Sequence, residues 1–301
     1  MTVAAAKNER QIKRTAGELI FDCFNVLFML FIAFIMFYPI WHVVMASVSN
    51  SNQLTAHIGL LFKPAGEITL AAYIYVLRNP AIPQGYLNTL FVVCVGTSVN
   101  IAMSSLAAYF ITRKNQFLSK YVLYMIMITM FFSGGMIPEY LNVRSLGLYN
   151  SLWALIMPGA ISVFNCIILK TSFGGIPDSL VESAKLDGAN DWLILTRVVL
   201  PLSKAVLAVL VLYYGVSHWN AWFSAMLYLR DQNKYPLQLI LRGILISNDT
   251  SAMANTISDL TLIAETIKFA LIVVVTLPIL LLYPFLQKYF TKGVLIGAIK
   301  G

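Results

Sequence analysis

The chain has 301 residues, 59% of them hydrophobic and only 11% charged, where a soluble domain carries about 25% charged residues. That balance excludes an ordinary water-soluble fold and fits a chain solvated mainly by lipid. A net charge of +8 would suit nucleic acid, yet no Lys/Arg cluster interleaved with aromatics stands on a soluble segment; the basic residues sit at the ends of apolar runs.

In chain order, Lys7, Arg10, Lys13 and Arg14 precede a first apolar run that is too long for a signal peptide and lacks a small-residue cleavage site. It reads as an uncleaved span centred on Cys23 to Ala46. Five further stretches free of Lys, Arg, Asp and Glu follow: Leu87 to Ile111, Tyr121 to Pro138, Ser145 to Leu169, Ala205 to Leu229 and Phe269 to Gln287. About 20 helical residues cross a hydrocarbon core, so the expectation is an all-α polytopic membrane protein with six transmembrane helices. Residues 1–18 form an N-terminal segment, 19–287 the membrane domain with its core at about 87–287, and 288–301 a tail.

Basic loops resist translocation. The even span count groups Lys7, Arg10, Lys13, Arg14, Arg113, Lys114, Lys120, Lys170, Lys185, Arg197, Lys204, Lys288, Lys292 and Lys300 on one side. Only Lys63, Arg78, Arg144, Arg230, Lys234, Arg242 and Lys268 fall on the other. Both termini and the loop at 173–201 are therefore expected in the cytoplasm of a bacterial cell, with the chain multi-pass in its cytoplasmic membrane. Of the outer segments the longest runs from about Arg230 to Glu265. Its apolar run Leu239 to Ile246 is too short to span and suits a surface or re-entrant helix.

The loop at 173–201 predicts two short helices. Ser179 and Glu182 have the spacing of a capping box, Gly188 stops the first helix after Asp187, and Asn190 or Asp191 caps a second over Trp192 to Val199. Pro201 then starts the fifth span, where its missing N–H costs nothing.

Within that loop stand Glu182-Ser183-Ala184, three residues, Gly188, nine residues, Val198, one residue and Leu200-Pro201. This resembles the EAA loop of type I ABC importer permeases, with Ser183 in place of Ala and Val198 in place of Ile. The resemblance implies the permease fold of that family, with a coupling helix seated on a cytoplasmic ATPase. Glu182, Ser183, Ala184, Asp187 and Gly188 would form the docking knob, and Leu200 and Pro201 would join it to the core. Leu180, Val181 and Leu186 would add apolar contact. Leu146-Gly147-Leu148-Tyr149-Asn150 and Trp219-Asn220-Ala221-Trp222 are similar to carbohydrate permeases of the maltose-permease type, Phe132-Ser133-Gly134-Gly135-Met136-Ile137-Pro138 and Tyr235-Pro236-Leu237 to a branch serving complex oligosaccharides, and the tail Gly297 to Gly301 resembles permease tails that reach into the ATPase dimer interface. The partners implied are a second permease subunit, two cytoplasmic ATPase subunits that hydrolyse ATP with Mg, an extracellular solute-binding protein and an oligosaccharide. Import of a non-sugar solute by the same machine, or ATP-independent secondary transport, are the alternatives.

Nothing in the sequence resembles a phosphate-cradling GxxxxGK[ST] loop, so no cofactor is expected on this chain and no enzymatic activity. Cys23, Cys94 and Cys166 lack metal-ligand spacing and read as inert thiols; His42, His57 and His218 are scattered. Trp219, Asn220 and Trp222 are either interfacial anchors or the lining of a sugar path, where aromatic faces pack on sugar C–H surfaces and an amide meets hydroxyls. Asn165 and Asn100 stand in the same position, with helix–helix hydrogen bonds as the plainer role. Gly96, Ser98, Ser104, Ser105, Ala107 and Ala108 give the second span small faces for close packing, as Gly159 and Ala160 do in the fourth.

Overall fold

In a computed structural model, residues 15–113, 117–247 and 265–281 are described. The basic cluster at 7–14, part of the long outer segment, the last residues of the sixth span and the 288–301 tail lie outside them.

Helix α4 (Ala81–Thr112) is the axis on which the described chain is organised. Its buried positions include Val92, Gly96, Asn100, Ser104 and Ala108, a four-residue repeat that lines one helix face with small or polar side chains. That face admits α11 (Lys204–Trp219) and α7 (Val163–Gly174) at close range. A Cβ on Gly96 would lie 2.6 Å from His218 Nε2.

Helix α1 (Ala16–Ser47) starts with the Thr15 N–H donating to Glu18 Oε2 and has 32 residues, ample to cross a bilayer. Its apolar side chains are almost all exposed within this chain. Its far end is tied in, where Tyr38 Oη accepts from the Leu61 N–H and Trp41 Nε1 donates to the Phe62 carbonyl. Short helices α2 (Ser51–Ala56) and α3 (Ala71–Arg78) lead to α4.

Beyond α4 the apolar stretches are broken. The third is a 13-residue helix, α5 (Ser119–Phe131), which ends where Gly135 takes φ 84° ahead of α6 (Met136–Ser145). The fourth, expected as one span from Ser145 to Leu169, is not one helix. Gly147 and Asn150 adopt φ of 70° and 57°, a 3-10 turn follows at Leu152–Leu155, and α7 begins only at Val163. Left-handed residues and Pro158 cannot continue an α-helix.

The fifth apolar stretch starts after a sharp corner. α9 (Asp191–Ile194) passes through a π turn at Leu195–Val199 into α10 (Leu200–Leu202), and this run meets α11 at 86°. Pro201 therefore does not open the fifth span; it ends the helix before it. A proline ring clashes with the carbonyl four residues back, and widening that turn to π relieves the clash. α11 stops at Trp219, and α12 (Phe223–Tyr228) resumes without a proline or glycine to announce the break. α13 (Leu237–Ser247) is the expected short apolar helix, and residues 265–281 form α14.

All regular elements among the described residues are helical. Among the described residues two are long and apolar enough to cross a membrane singly, and the bent pair at Ser203 makes a third if it is one span; the expected count of six is not confirmed by them. The apolar core is strung along α4. Val76, Ile82, Leu237, Ile244 and Leu271 pack around its first turns, Val92, Ile156, Tyr228 and Leu229 along its middle, and Leu169, Ile194, Val199 and Leu210 around its last.

Candidate functional site

The loop at 173–201 folds into a small projection. α8 (Asp178–Leu186) starts after Pro177, and Ser179 lies inside it, so the expected capping box does not form. Its C-terminus closes as a Schellman motif: the Ala189 N–H donates to the Ala184 carbonyl at 2.9 Å and the Gly188 N–H to the Lys185 carbonyl at 3.0 Å. Gly188 takes the left-handed φ of 81° that this motif needs. Asn190 then caps α9, its Oδ1 accepting from the Leu193 N–H at 2.8 Å. Val181 is turned into the chain's own core. Glu182, Ser183, Lys185, Leu186 and Asp187 face outward, and Leu186 is 89% exposed. Among the described residues Glu182 has neither a hydrogen bond nor an ion pair, so its carboxylate does not serve as a cap.

The projection is held to α4 by a contact the sequence did not disclose. Tyr109 Oη donates to Asp191 Oδ1 at 2.9 Å, Arg113 donates to the same phenol oxygen, and the Arg113 guanidinium lies 4.1 Å from the Tyr109 ring centroid. The only trace in the sequence is a Tyr and an Arg one turn apart at the end of the second span. A cavity of about 730 Å³ separates the end of α4 from α8, with Arg113, Asp178, Glu182, Lys185 and Asp191 on its walls. Leu200 and Pro201 lie just before the corner, where Ser203 is buried and accepts from Ser172 Oγ at 3.3 Å.

Of the residues considered for a solute path, Trp219 is buried, with its ring 6.4 Å edge-on from Tyr86; Trp222 is half-buried and Asn220 exposed. Trp219 also lines a cavity of about 780 Å³ between α4 and α11. Its walls are apolar except for Thr97, Ser98, Ser105 and Thr196. Asn165 is buried on the first turn of α7. Asn100 is not exposed to a path: its Nδ2 donates to the Gly159 carbonyl at 2.6 Å, and its Oδ1 lies 2.6 Å from His218 Nε2. Ser104 and Tyr214 pair at 2.7 Å, and the Ser162 N–H donates to Tyr214 Oη. Non-helical backbone at membrane depth persists only where protein satisfies it, and this polar seam does so for the break before α7. His218 is thus a structural partner, and no group able to hold a metal occurs among the described residues. Cys166 is buried, whereas Cys23 and Cys94 face outward from the chain.

At the other end of α4 the segment after α12 is knotted down. Asn88 Nδ2 donates to the Asn233 and Tyr235 carbonyls, and Thr89 Oγ1 accepts from the Leu237 N–H. Asn150 Oδ1 accepts from the Arg230 and Asp231 N–H groups, both at 3.1 Å, while Lys234 Nζ donates to the Asn150 carbonyl. The Leu146 to Asn150 and Tyr235 to Leu237 motifs are therefore packing devices here. Arg242 of α13 stacks on Trp222, 4.3 Å from its ring centroid, and donates through Nη1 to Met226 Sδ.

Comparison with known proteins follows the same line. Residues 1–296 match the family described as binding-protein-dependent transport system inner membrane component. The polygalacturonan/rhamnogalacturonan transport system permease protein YtcP of Bacillus subtilis is 42% identical over 94% of this chain and 99% of its own length. Protein LplC of the same species is 40% identical over 95% and 97%. A chain from a crystal structure of a bacterial ABC transporter involved in import of the acidic polysaccharide alginate superposes with a TM-score of 0.84 at 31% identity, over 92% of this chain and 99% of that one.

Proposed function

The chain belongs to the family of binding-protein-dependent transport system inner membrane components, and on that footing we propose that it forms part of the membrane passage for an oligosaccharide in an ABC importer. Its relatives are named for polygalacturonan/rhamnogalacturonan transport and for import of the acidic polysaccharide alginate. Its task is passage and coupling, with no chemistry on the solute.

The observation that carries the coupling role is the projection at α8. It is rigidly closed at Gly188, clamped to α4 through Tyr109 and Asp191, and presents Glu182 and Leu186 outward. An exposed leucine beside an uncommitted carboxylate suits a protein cleft. In this reading two ATPase subunits with ATP and Mg seat the projection from the cytoplasm, a second permease closes the passage, and a solute-binding protein delivers sugar from outside. ATP shifts the permease only if the ATP-bound and free engines hold the projection in different positions. The clamp then passes that displacement to α4, and the corner at Ser203 passes it to α11.

Gly188→Asp tests this in membranes carrying the assembled importer. It forces a side chain into a left-handed position at a cost of about 1–2 kcal/mol and adds a carboxylate beside Asp187. Expected is normal insertion with loss of uptake; full uptake by this variant removes the coupling role from the projection.

A further inference from the structure

We propose that Arg242, stacked on Trp222, reads a carboxylate on the transported sugar, so that the substrate class is an acidic oligosaccharide. This assignment rests on the oligosaccharide reading above. Arg242 sits on an otherwise apolar helix, between Leu241 and Gly243, and leans on Trp222 and Met226. Its Nε is fully buried without a hydrogen-bond partner, and among the described residues no carboxylate lies within ion-pair distance. Three cations expected on the same side are already engaged: Arg230 donates to Tyr149, Lys234 lies 4.0 Å from Asp231, and Lys268 pairs with Glu265 at 2.8 Å.

A guanidinium is always charged and presents five donors in a planar fork, and here one of them is spent on a thioether, a weak acceptor. Keeping such a group half-buried costs stability that a leucine or methionine would not, because among the described residues no carboxylate supplies a counter-charge. The chemistry that completes it is a planar carboxylate, taken in charge-assisted hydrogen bonds. Trp222 fixes the plane of the fork by the cation–π contact and stands beside exposed Asn220, whose amide can meet sugar hydroxyls. Trp222 lies in the break between α11 and α12 and Arg242 reaches it from α13, so a solute there would meet side chains from two elements.

The test is uptake of trigalacturonate and of its methyl ester by cells carrying the complete importer, with membrane content and basal ATP hydrolysis of the complex measured alongside. In Arg242→Gln, acid uptake at subsaturating substrate should fall by about tenfold or more, the size of a lost charged hydrogen bond, while ester uptake holds. Arg242→Lys, which keeps the charge and loses the fork, should recover a measurable part of the acid uptake. Equal losses for both probes, or no loss for the acid, overturn the assignment and leave a merely structural cation–π contact. A wild-type importer that takes the ester but not the acid also overturns it, with the oligosaccharide reading intact. If the wild type takes only the acid, recovery in Arg242→Lys supports the assignment and failure to recover overturns it. If the wild type takes neither while its complex hydrolyses ATP, the acidic assignment and the role of Arg242 are overturned; the oligosaccharide reading fails only if neutral oligosaccharides are refused as well.

Discussion

Asn150 shows how one residue can hold a segment that no periodicity predicts. It takes φ 57°, a conformation asparagine tolerates better than other side chains, and its Oδ1 accepts the backbone N–H groups of Arg230 and Asp231. Asn150→Ala removes the acceptor and strains the backbone, at about 2–3 kcal/mol in total. The detergent-solubilised complex should melt earlier, and Asn150→Gly should recover only the backbone part. An unchanged melting transition would mean the outer knot does not depend on this side chain. Gly188 is the mirror case at the opposite end of α4: its left-handed turn was legible in the sequence because few residues other than glycine suit that position. Ser179 was not legible in the same way. Its Ser-x-x-Glu spacing fits a capping box, but Pro177, with φ near −60° and extended ψ, is the N-cap and starts the helix two residues earlier.

At the scale of elements, the link that matters is α4 to α9. Both Tyr109→Phe and Asp191→Asn weaken it while leaving the Asn190 cap and the Schellman closure in place. The expected result in the assembled importer is a several-fold fall in sugar taken up per ATP hydrolysed, with hydrolysis itself retained. If that ratio is unchanged in both variants, displacement reaches the helices by another route, such as the Ser203 corner. The broken fourth and fifth stretches belong to this scale too. Their apolar composition forecast burial in lipid or protein correctly, but composition does not distinguish one long helix from two short ones around a satisfied turn. The distinction depends on Asn100 and Tyr214, which lie on other helices and bond the broken backbone near Gly159 and Ser162.

For the whole molecule, α4 supplies the ruler. Thr89 binds the outer segment and Tyr109 binds the projection, and the twenty residues between them rise about 30 Å, the thickness of a hydrocarbon core. The two ends of the fold thus lie one membrane apart. In a chain freed of Cys23, Cys94 and Cys166, Ser183→Cys should react with a membrane-impermeant thiol reagent only in inside-out vesicles. Gln232→Cys should react only in right-side-out ones, since both positions are exposed. Labelling of both from the same side would overturn the proposed orientation and the assignment of the projection to the cytoplasm.

The membrane setting, the helical class and the family were written in the sequence, because solvation by lipid is a property of each segment alone and the EAA-type spacing is local. The same holds for the turn at Gly188 and the cap at Asn190, which need only a few neighbouring residues. Tertiary structure alone decided where the helices break, how Tyr109 and Arg113 grip α9, and that Arg242 lies on Trp222. These contacts join residues far apart in the chain, as His218 and Asn100 are, and their free energy exists only once packing has excluded the solvent between them.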